Sequence, residues 1–180
     1  PFRLFETGRT FIPRKDQLPD ERQIAIGVLA GPRNETSWLL DEGGMDFFDG
    51  KGIITATLSR LGIAPTFEAA EDPSFHPGRC ATILSGGSPV GIIGELHPVV
   101  LSRFDLNAEP VVIFELYLDN LLALPSRSER NFQPLARFPA ATRDLALVVG
   151  ADVPAGQVQD IISHHRMVQR VDLFDIYIGE

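Results

Sequence analysis

Four side chains in the middle of the chain could together hold a metal ion. His76 and Cys80 are separated by three residues, and Glu95 and His97, further along the chain, are separated by one. Imidazole, thiolate and carboxylate groups are the ligands that zinc prefers, and three of them with a bound water make a hydrolytic site. The structural interpretation is simpler, because His97 precedes Pro98 at a helix entry and Cys80 opens an apolar strand. A metallohydrolase is therefore an alternative, and we favour a structural role for these residues.

No other group of residues predicts a catalytic site. Cys80 could pair with a neighbouring histidine, but the sequence around it lacks a nucleophile turn. The adjacent Gly86 and Gly87 lack the lysine and hydroxyl residues of a phosphate-binding loop. Arg166 and Arg170 share a face if the preceding helix continues, and such a face either contacts RNA or is simply solvated. The residue pattern alone thus indicates a protein without an evident catalytic set.

Length, charge and cysteine content narrow the class of protein. The chain has 180 residues, enough for one large or two small domains, and a net charge of −8. An acidic chain repels phosphate backbones, which argues against DNA as a partner and against RNA binding through bulk charge. A single cysteine and the lack of a long apolar run favour a cytoplasmic protein without a membrane partner. Because the chain lacks an initiator Met, we expect it to be part of a longer protein.

Hydrophobic periodicity predicts a first module made mainly of strands. The predicted strands cover residues 2–11, 23–30, 66–70, 80–85, 90–96 and 111–118. Residues 12–22 are polar and contain two prolines, which predicts a loop. The longest helix is predicted to begin after Asp46 as N-cap and to end at Gly62. Shorter helices are predicted over residues 98–103 and 119–124.

A second, smaller module is predicted at the C-terminal end. Residues 126–136 are polar, contain a proline and form the predicted linker, so the first module covers 1–125 and the second 137–180. The second module is predicted to have a strand over 144–149, a helix over 154–164 and a strand over 171–178. This β-α-β order is half of a ferredoxin-like β-α-β-β-α-β fold. The whole chain is predicted to be α+β.

Several sequence segments carry a resemblance to a known family. They are Phe5-Glu-Thr-Gly-Arg-Thr-Phe, Asp46-Phe-Phe-Asp-Gly-Lys-Gly, Ser74-Phe-His-Pro-Gly-Arg-Cys-Ala, Gly91-Ile-Ile-Gly-Glu-Leu-His-Pro and Phe114-Glu-Leu-Tyr-Leu-Asp. Their order resembles the catalytic-core-like domain in the beta subunit of bacterial phenylalanyl-tRNA synthetase. Phe138-Pro-Ala-Ala-Thr-Arg-Asp-Leu-Ala and Leu173-Phe-Asp-Ile-Tyr resemble the start of that subunit's ferredoxin-like anticodon-binding domain.

The resemblance implies a fold and a function. The first module would be a class II synthetase-like antiparallel sheet flanked by helices, followed by a truncated ferredoxin-like unit. It would be a non-catalytic scaffold for the alpha subunit in a heterotetramer of two alpha and two beta subunits that charges tRNA(Phe). ATP and Mg²⁺ would serve the holoenzyme, and this chain would bind neither. An active class II site needs an Arg for the ATP phosphates, and the comparable stretch, residues 114–124, has none. A class II synthetase-like regulatory module that binds protein is the other alternative.

The same resemblance makes the central residues architectural. Arg79 and Glu95 are predicted to form a partly buried ion pair, with His76 and His97 also structural. No catalytic and no metal-binding residue is implied.

In the second module, Arg143 and, less directly, Arg137 are the candidates for contact with tRNA. The competing interpretation pairs these arginines with carboxylates such as Asp144 or Asp175.

Overall fold

The chain folds as two units, Pro1–Asn131 and Phe132–Glu180. The computed structural model describes residues 2–34, 43–106, 110–124 and 139–177. The predicted linker, 126–136, lies outside these ranges, so the predicted domain limits stay a prediction. Within the described ranges, no helix is long and apolar enough to cross a membrane.

The first unit is built on an antiparallel sheet of six strands in the order β1-β2-β6-β5-β4-β3. The strands are β1 Phe2–Arg14, β2 Gln17–Ala30, β3 Thr66–Ala69, β4 Phe75–Ser85, β5 Ser88–Leu96 and β6 Val111–Tyr117. The described part of the unit also contains the helices α1 Phe47–Arg60, α2 Pro98–Arg103 and α3 Leu118–Ala123. Every strand predicted for this unit is present, and the α+β prediction is confirmed.

The loop predicted for residues 12–22 is wrong. β1 and β2 continue through this segment and are joined by a turn at Lys15 and Asp16, where Asp16 has a φ of 60°. β6 pairs only with Ile24–Ala30 of β2, so the outer part of the hairpin has no third strand beside it. Prolines are tolerated there because an unpaired edge does not need their missing N–H groups. The two prolines therefore mark an edge and not a loop.

The helix α1 begins and ends where the sequence predicts. The Asp46 side chain accepts hydrogen bonds from the backbone N–H of Phe48 at 2.9 Å and of Asp49 at 3.3 Å. Asp49 reaches back and accepts from the N–H of Asp46 at 2.8 Å, which completes a capping box. After the helix, Gly62 adopts a φ of 75°, as a residue that closes a helix commonly does.

The core of the first unit lies between α1 and one face of the sheet. Its fully buried members include Leu29, Met45, Ile54, Leu58, Ile83, Ile93 and Val112. Gly50 lets α1 approach closely, because a Cβ there would lie 2.8 Å from Val112 Cγ1 and 2.9 Å from Ile93 Cδ1. Gly50 therefore allows α1 to pack closely on β5 and β6.

The opposite face of the sheet is partly covered by the chain itself, because the Phe75 side chain lies against Gly94 there. Because successive side chains of a strand point to opposite faces, it carries Ile24, Ile26, Val28, Ile92, Ile113, Glu115 and Tyr117. α2 covers one end of it, where Leu101 packs in a cluster with Ala30 and Val111. The side chains at the other end are half-buried.

Among residues 139–177, which the structure describes, the second unit contains one helix, α4 Ala155–Ser163, where the sequence predicts it. The strands predicted over 144–149 and 171–178 are wrong for the described residues, which form no ladder there. A strand requires a hydrogen-bonded neighbour, and in a split β-α-β unit the two strands do not neighbour each other. Their apolar side chains, Leu145, Leu147, Phe174 and Ile176 among them, are exposed.

Candidate functional site

A buried carboxylate, Glu95 of β5, lies at the centre of the predicted group. Its Oε2 accepts from Arg79 Nη1 at 2.5 Å, and its Oε1 accepts from the backbone N–H of Phe47 at 3.1 Å. The Glu95 side chain is 7% exposed, whereas that of Arg79 is 56% exposed. The predicted ion pair is thus present, and the carboxylate also binds the first N–H of α1, where negative charge is favourable. Its hydrogen bond and charge raise the pKa of Arg79.

The two histidines of the group bind backbone atoms. His97 is the N-cap of α2, and its Nδ1 accepts from the N–H of Val99 at 3.1 Å. His76 Nδ1 lies 2.7 Å from the carbonyl oxygen of Pro77, so that nitrogen carries the proton and donates. Both histidines thus contact nearby backbone atoms, as structural residues do. The structural role predicted for them stays a prediction.

The four side chains considered as alternative zinc ligands do not converge on one point. Two open cavities border the group, of about 290 and 590 Å³, and His76 lines both. Arg79 and Glu95 line the smaller cavity, whereas Cys80 and His97 line the larger. Among the described residues, no three His, Cys, Asp or Glu side chains are placed to hold a metal ion. Burial raises the pKa of the Cys80 thiol, which disfavours the thiolate that a metal or a nucleophilic reaction needs.

The step from β6 into α3 carries aromatic and acidic side chains. Tyr117 is the N-cap of α3 and makes no capping side-chain bond, and Asp119 lies in the first turn of that helix. Asp119 Oδ2 accepts from the N–H of Gln23 at 2.9 Å. Arg22 lies on β2 two residues before Ile24, the residue that pairs with Tyr117, and it donates to Asp20 at 3.1 Å. Carboxylates repel the phosphates of a nucleotide, so these side chains do not fit ATP.

The second unit presents Arg143 at its surface. Its Nη1 donates to the carbonyl oxygen of Thr142 at 2.8 Å. The competing interpretation pairs Arg143 with Asp144 or Asp175. Within the described ranges, Arg143 forms neither ion pair. Arg170, by contrast, is paired with Asp172 at 2.8 Å. The other tRNA-binding candidate, Arg137, lies outside the described residues.

Two known protein families match consecutive parts of the chain. The family described as the phenylalanyl tRNA synthetase beta chain CLM domain matches residues 1–118. The family described as the ferredoxin-fold anticodon binding domain matches residues 136–180. The chain belongs to the phenylalanyl-tRNA synthetase beta chain family. The resemblance stated from the sequence motifs is therefore confirmed, and neither the metallohydrolase nor the regulatory module is favoured.

Individual relatives agree with the phenylalanyl-tRNA synthetase beta chain assignment. A phenylalanine--tRNA ligase beta subunit from Dehalococcoides mccartyi is 40% identical over 178 residues, and one from Staphylococcus saprophyticus is 37% identical over 181. Each match covers 99% of this chain and 22% of the relative. A solved pyrrolysyl-tRNA synthetase from Desulfitobacterium hafniense matches 68% of this chain and 41% of its own, at 17% identity and a TM-score of 0.48, too weak to define the fold.

One group in this beta chain escaped prediction. Arg33 Nη2 donates to Asp49 at 2.9 Å and contacts Asp46 at 3.4 Å, so the arginine joins the start of α1 to the segment after β2. The Asp-x-x-Asp spacing could have revealed the capping box, because it places two carboxylates on the first turn. Arg33 lies 16 residues before Asp49 in sequence, and a local sequence pattern does not indicate a contact over that separation.

Proposed function

We propose that this chain is the non-catalytic scaffold part of a phenylalanine--tRNA ligase beta subunit together with part of its anticodon-binding module. The first unit supports the alpha subunit, and the second contributes to recognition of the tRNA(Phe) anticodon. The holoenzyme consists of two alpha and two beta subunits, acts in the cytoplasm, and uses ATP and Mg²⁺ to attach phenylalanine. The observation that carries the proposal is the match of two families, in this order, to adjoining parts of one chain.

We infer further that the six-stranded sheet is a class II synthetase-like core that no longer binds a nucleotide. The antiparallel strand order and the helices packed on it support this. The acidic and aromatic character of the step from β6 into α3 supports the loss of the ATP site. Stoichiometric binding of ATP by the purified full-length beta subunit would refute this inference.

The second unit is proposed to contact tRNA through Arg143, with Arg137 as a further candidate. Arg143 is exposed and its one hydrogen bond among the described residues is to a neighbouring carbonyl, so the guanidinium has donors left for a phosphate or base. The corresponding domain limits, 1–125 and 137–180, are part of the same proposal. The exposed apolar side chains of 144–149 and 171–177 support the view that these segments are incomplete parts of a sheet.

The test uses the full-length beta subunit assembled with its alpha subunit. Charging of tRNA(Phe) by this assembly checks the overall proposal, and failure to charge it would refute it. Arg143→Ala is expected to raise the KM for tRNA about fivefold to tenfold with kcat unchanged, and to reduce the salt slope of binding by about one.

Arg170→Ala is the matched control, because its guanidinium is already paired with Asp172. If both variants have the KM of the unmodified protein, Arg143 does not contact tRNA.

A further inference from the structure

The start of helix α2 has one hydrogen-bond donor that the backbone does not satisfy. Pro98, its first residue, has no N–H, and the N–H groups of Val100 and Leu101 donate to the carbonyl oxygen of His97 at 2.8 and 3.1 Å. The N–H of Val99 is the donor that is left, and it donates to Nδ1 of the His97 ring at 3.1 Å. The first turn of α2 is therefore fully bonded only while that ring nitrogen carries no proton.

Protonation of the His97 ring would remove this hydrogen bond and add an unfavourable contact. A charged imidazole carries a proton on both nitrogens, so Nδ1 would face the N–H of Val99 with two donors opposed. The positive charge would also lie at the end of a helix that favours negative charge. Imidazole is the side chain that ordinarily changes its charge between pH 5 and pH 8. The cap of α2 is thus lost when His97 takes up a proton.

The segment before β4 supplies a partner for the charged ring. The backbone N–H of His97 donates to the carbonyl oxygen of Ser74 at 2.9 Å, and the N–H of Ser74 donates to Oδ1 of Asp72 at 2.8 Å. Asp72 and His97 line the same cavity of about 590 Å³, which gives the ring room to turn. A carboxylate favours a protonated imidazole, whereas the N–H of Val99 favours the neutral one. The ring therefore has one partner for each charge state.

The other charged and titratable groups around His97 do not replace Asp72 in this role. Among the described residues, those that line the two cavities around His97 and Pro98 are Glu71, His76, Arg79, Cys80 and Glu95. Arg79 and Glu95 are bonded to each other, and burial and the charge of Asp72 raise the pKa of Cys80, which keeps the thiol uncharged. Glu71 is exposed and adds charge of the same sign as Asp72. Arg103 lies in the last turn of α2, at the opposite end from His97.

The helix α2 is held on the sheet by few contacts. Leu101 is 3% exposed and packs with the uncharged Ala30 of β2 and Val111 of β6. The helix has six residues, and a helix this short depends on its caps and on packing. Loss of an N-cap bond typically changes a helix equilibrium by about twofold to thirtyfold. One proton on His97 is therefore enough to change how often α2 leaves the sheet.

We propose that His97 is a proton-dependent switch for α2. The neutral ring caps the helix and keeps Leu101 on the sheet. The protonated ring leaves the cap for the carboxylate of Asp72, which loosens α2 and exposes the end of the sheet beneath it. The inference concerns the conformation of this domain and does not depend on the proposed function.

Hydrogen exchange in the full-length beta subunit, assembled with its alpha subunit, tests the switch. After correction for the intrinsic effect of pH on exchange, the protection of residues 99–106 is expected to fall at least about threefold between pH 7.5 and pH 5.5. The protection of α1 is expected to stay constant, because carboxylates and not an imidazole cap that helix. Constant protection of α2, or an equal fall in α1, would overturn the proposal.

Substitution of His97 separates the switch from other effects of pH. Asparagine caps helices well and does not titrate, so in His97→Asn the protection of α2 is expected to change less than about twofold over the same range. His97→Ser serves the same purpose if the asparagine variant assembles poorly. His76→Asn is the matched control, because His76 lines the same cavity but its Nδ1 bonds to Pro77, and it should behave as the unmodified protein does. A full fall in both His97 variants would refute the switch.

Asp72→Asn tests the exchange of partners. This variant keeps an oxygen that accepts from the N–H of Ser74 and removes the charge that attracts a protonated His97. The fall in protection of α2 at pH 5.5 is expected to shrink to less than about twofold. An undiminished fall would show that Asp72 does not receive the ring, and the switch as proposed would be wrong.

Discussion

Alanine substitutions at Gly50 and Gly52 of α1 measure how tightly this helix packs on the sheet. Both glycines lie inside the helix, where glycine costs about 1 kcal/mol relative to alanine. At Gly52 a Cβ meets nothing within 4 Å, so Gly52→Ala is expected to stabilise the protein by about 0.5–1 kcal/mol. The two positions share a helix and a substitution, and they differ only in what the new methyl group meets.

At Gly50 the new methyl group would overlap the core. It would lie 2.8 Å from Val112 Cγ1, a β-branched side chain that cannot rotate away easily, and 2.9 Å from Ile93 Cδ1. Overpacking of this kind costs about 1–3 kcal/mol, which exceeds or cancels the gain in helix propensity. Gly50→Ala is therefore expected to lower the free energy of unfolding by about 0–2 kcal/mol.

The comparison is made by urea unfolding and by thermal melting of the same full-length subunit. The two variants are expected to differ by about 2 kcal/mol, or by about 8 °C in melting temperature for a unit of this size. If Gly50→Ala stabilises the protein as much as Gly52→Ala, α1 does not contact β5 and β6 as closely as described.

Three further predictions concern charged and reactive groups. Arg79→Ala is expected to lower the melting temperature clearly, because it leaves the buried carboxylate of Glu95 without its cation, and an unchanged melting curve would contradict this. Arg33 holds the pKa of Asp49 below its usual 3.8, so this pair adds stability above that pH and loses it as the pH falls further. Asp49→Asn should accordingly cost stability at pH 7 and cost progressively less below pH 4, measured by urea unfolding. Burial raises the pKa of Cys80, so its reaction with an aromatic disulfide at pH 8 should be slow until denaturant is added, and rapid reaction in native buffer would contradict this.

Local signals in the sequence predict the elements of the first unit well. An Asp followed by apolar residues at helical spacing marks the start of α1, and Gly62 marks its end. The same local logic fails at residues 12–22, because two prolines usually indicate a loop. Whether a proline is tolerated in a strand depends on which neighbouring strands exist, and that is decided by tertiary pairing.

The candidate site was partly predictable for a similar reason. Arg79 directly precedes the predicted strand 80–85, and Glu95 lies in the next predicted strand, 90–96. Consecutive strands commonly pair, so the approach of these two residues follows from a short-range pairing. The N–H of Phe47 comes from a helix far away in sequence, and no pattern in the chain indicates that Glu95 binds it.

The outer half of the β1–β2 hairpin is a ribbon of two strands that extends past the end of β6. Two-stranded ribbons are marginally stable by themselves, so the cross-strand contacts at its end, such as Arg14 to Asp20 at 2.7 Å, largely determine how rigid it is. Residues can be added or removed at the Lys15-Asp16 turn without disturbing the core beneath α1. The reach of this ribbon, and any surface it touches, can therefore change in evolution independently of the body of the domain.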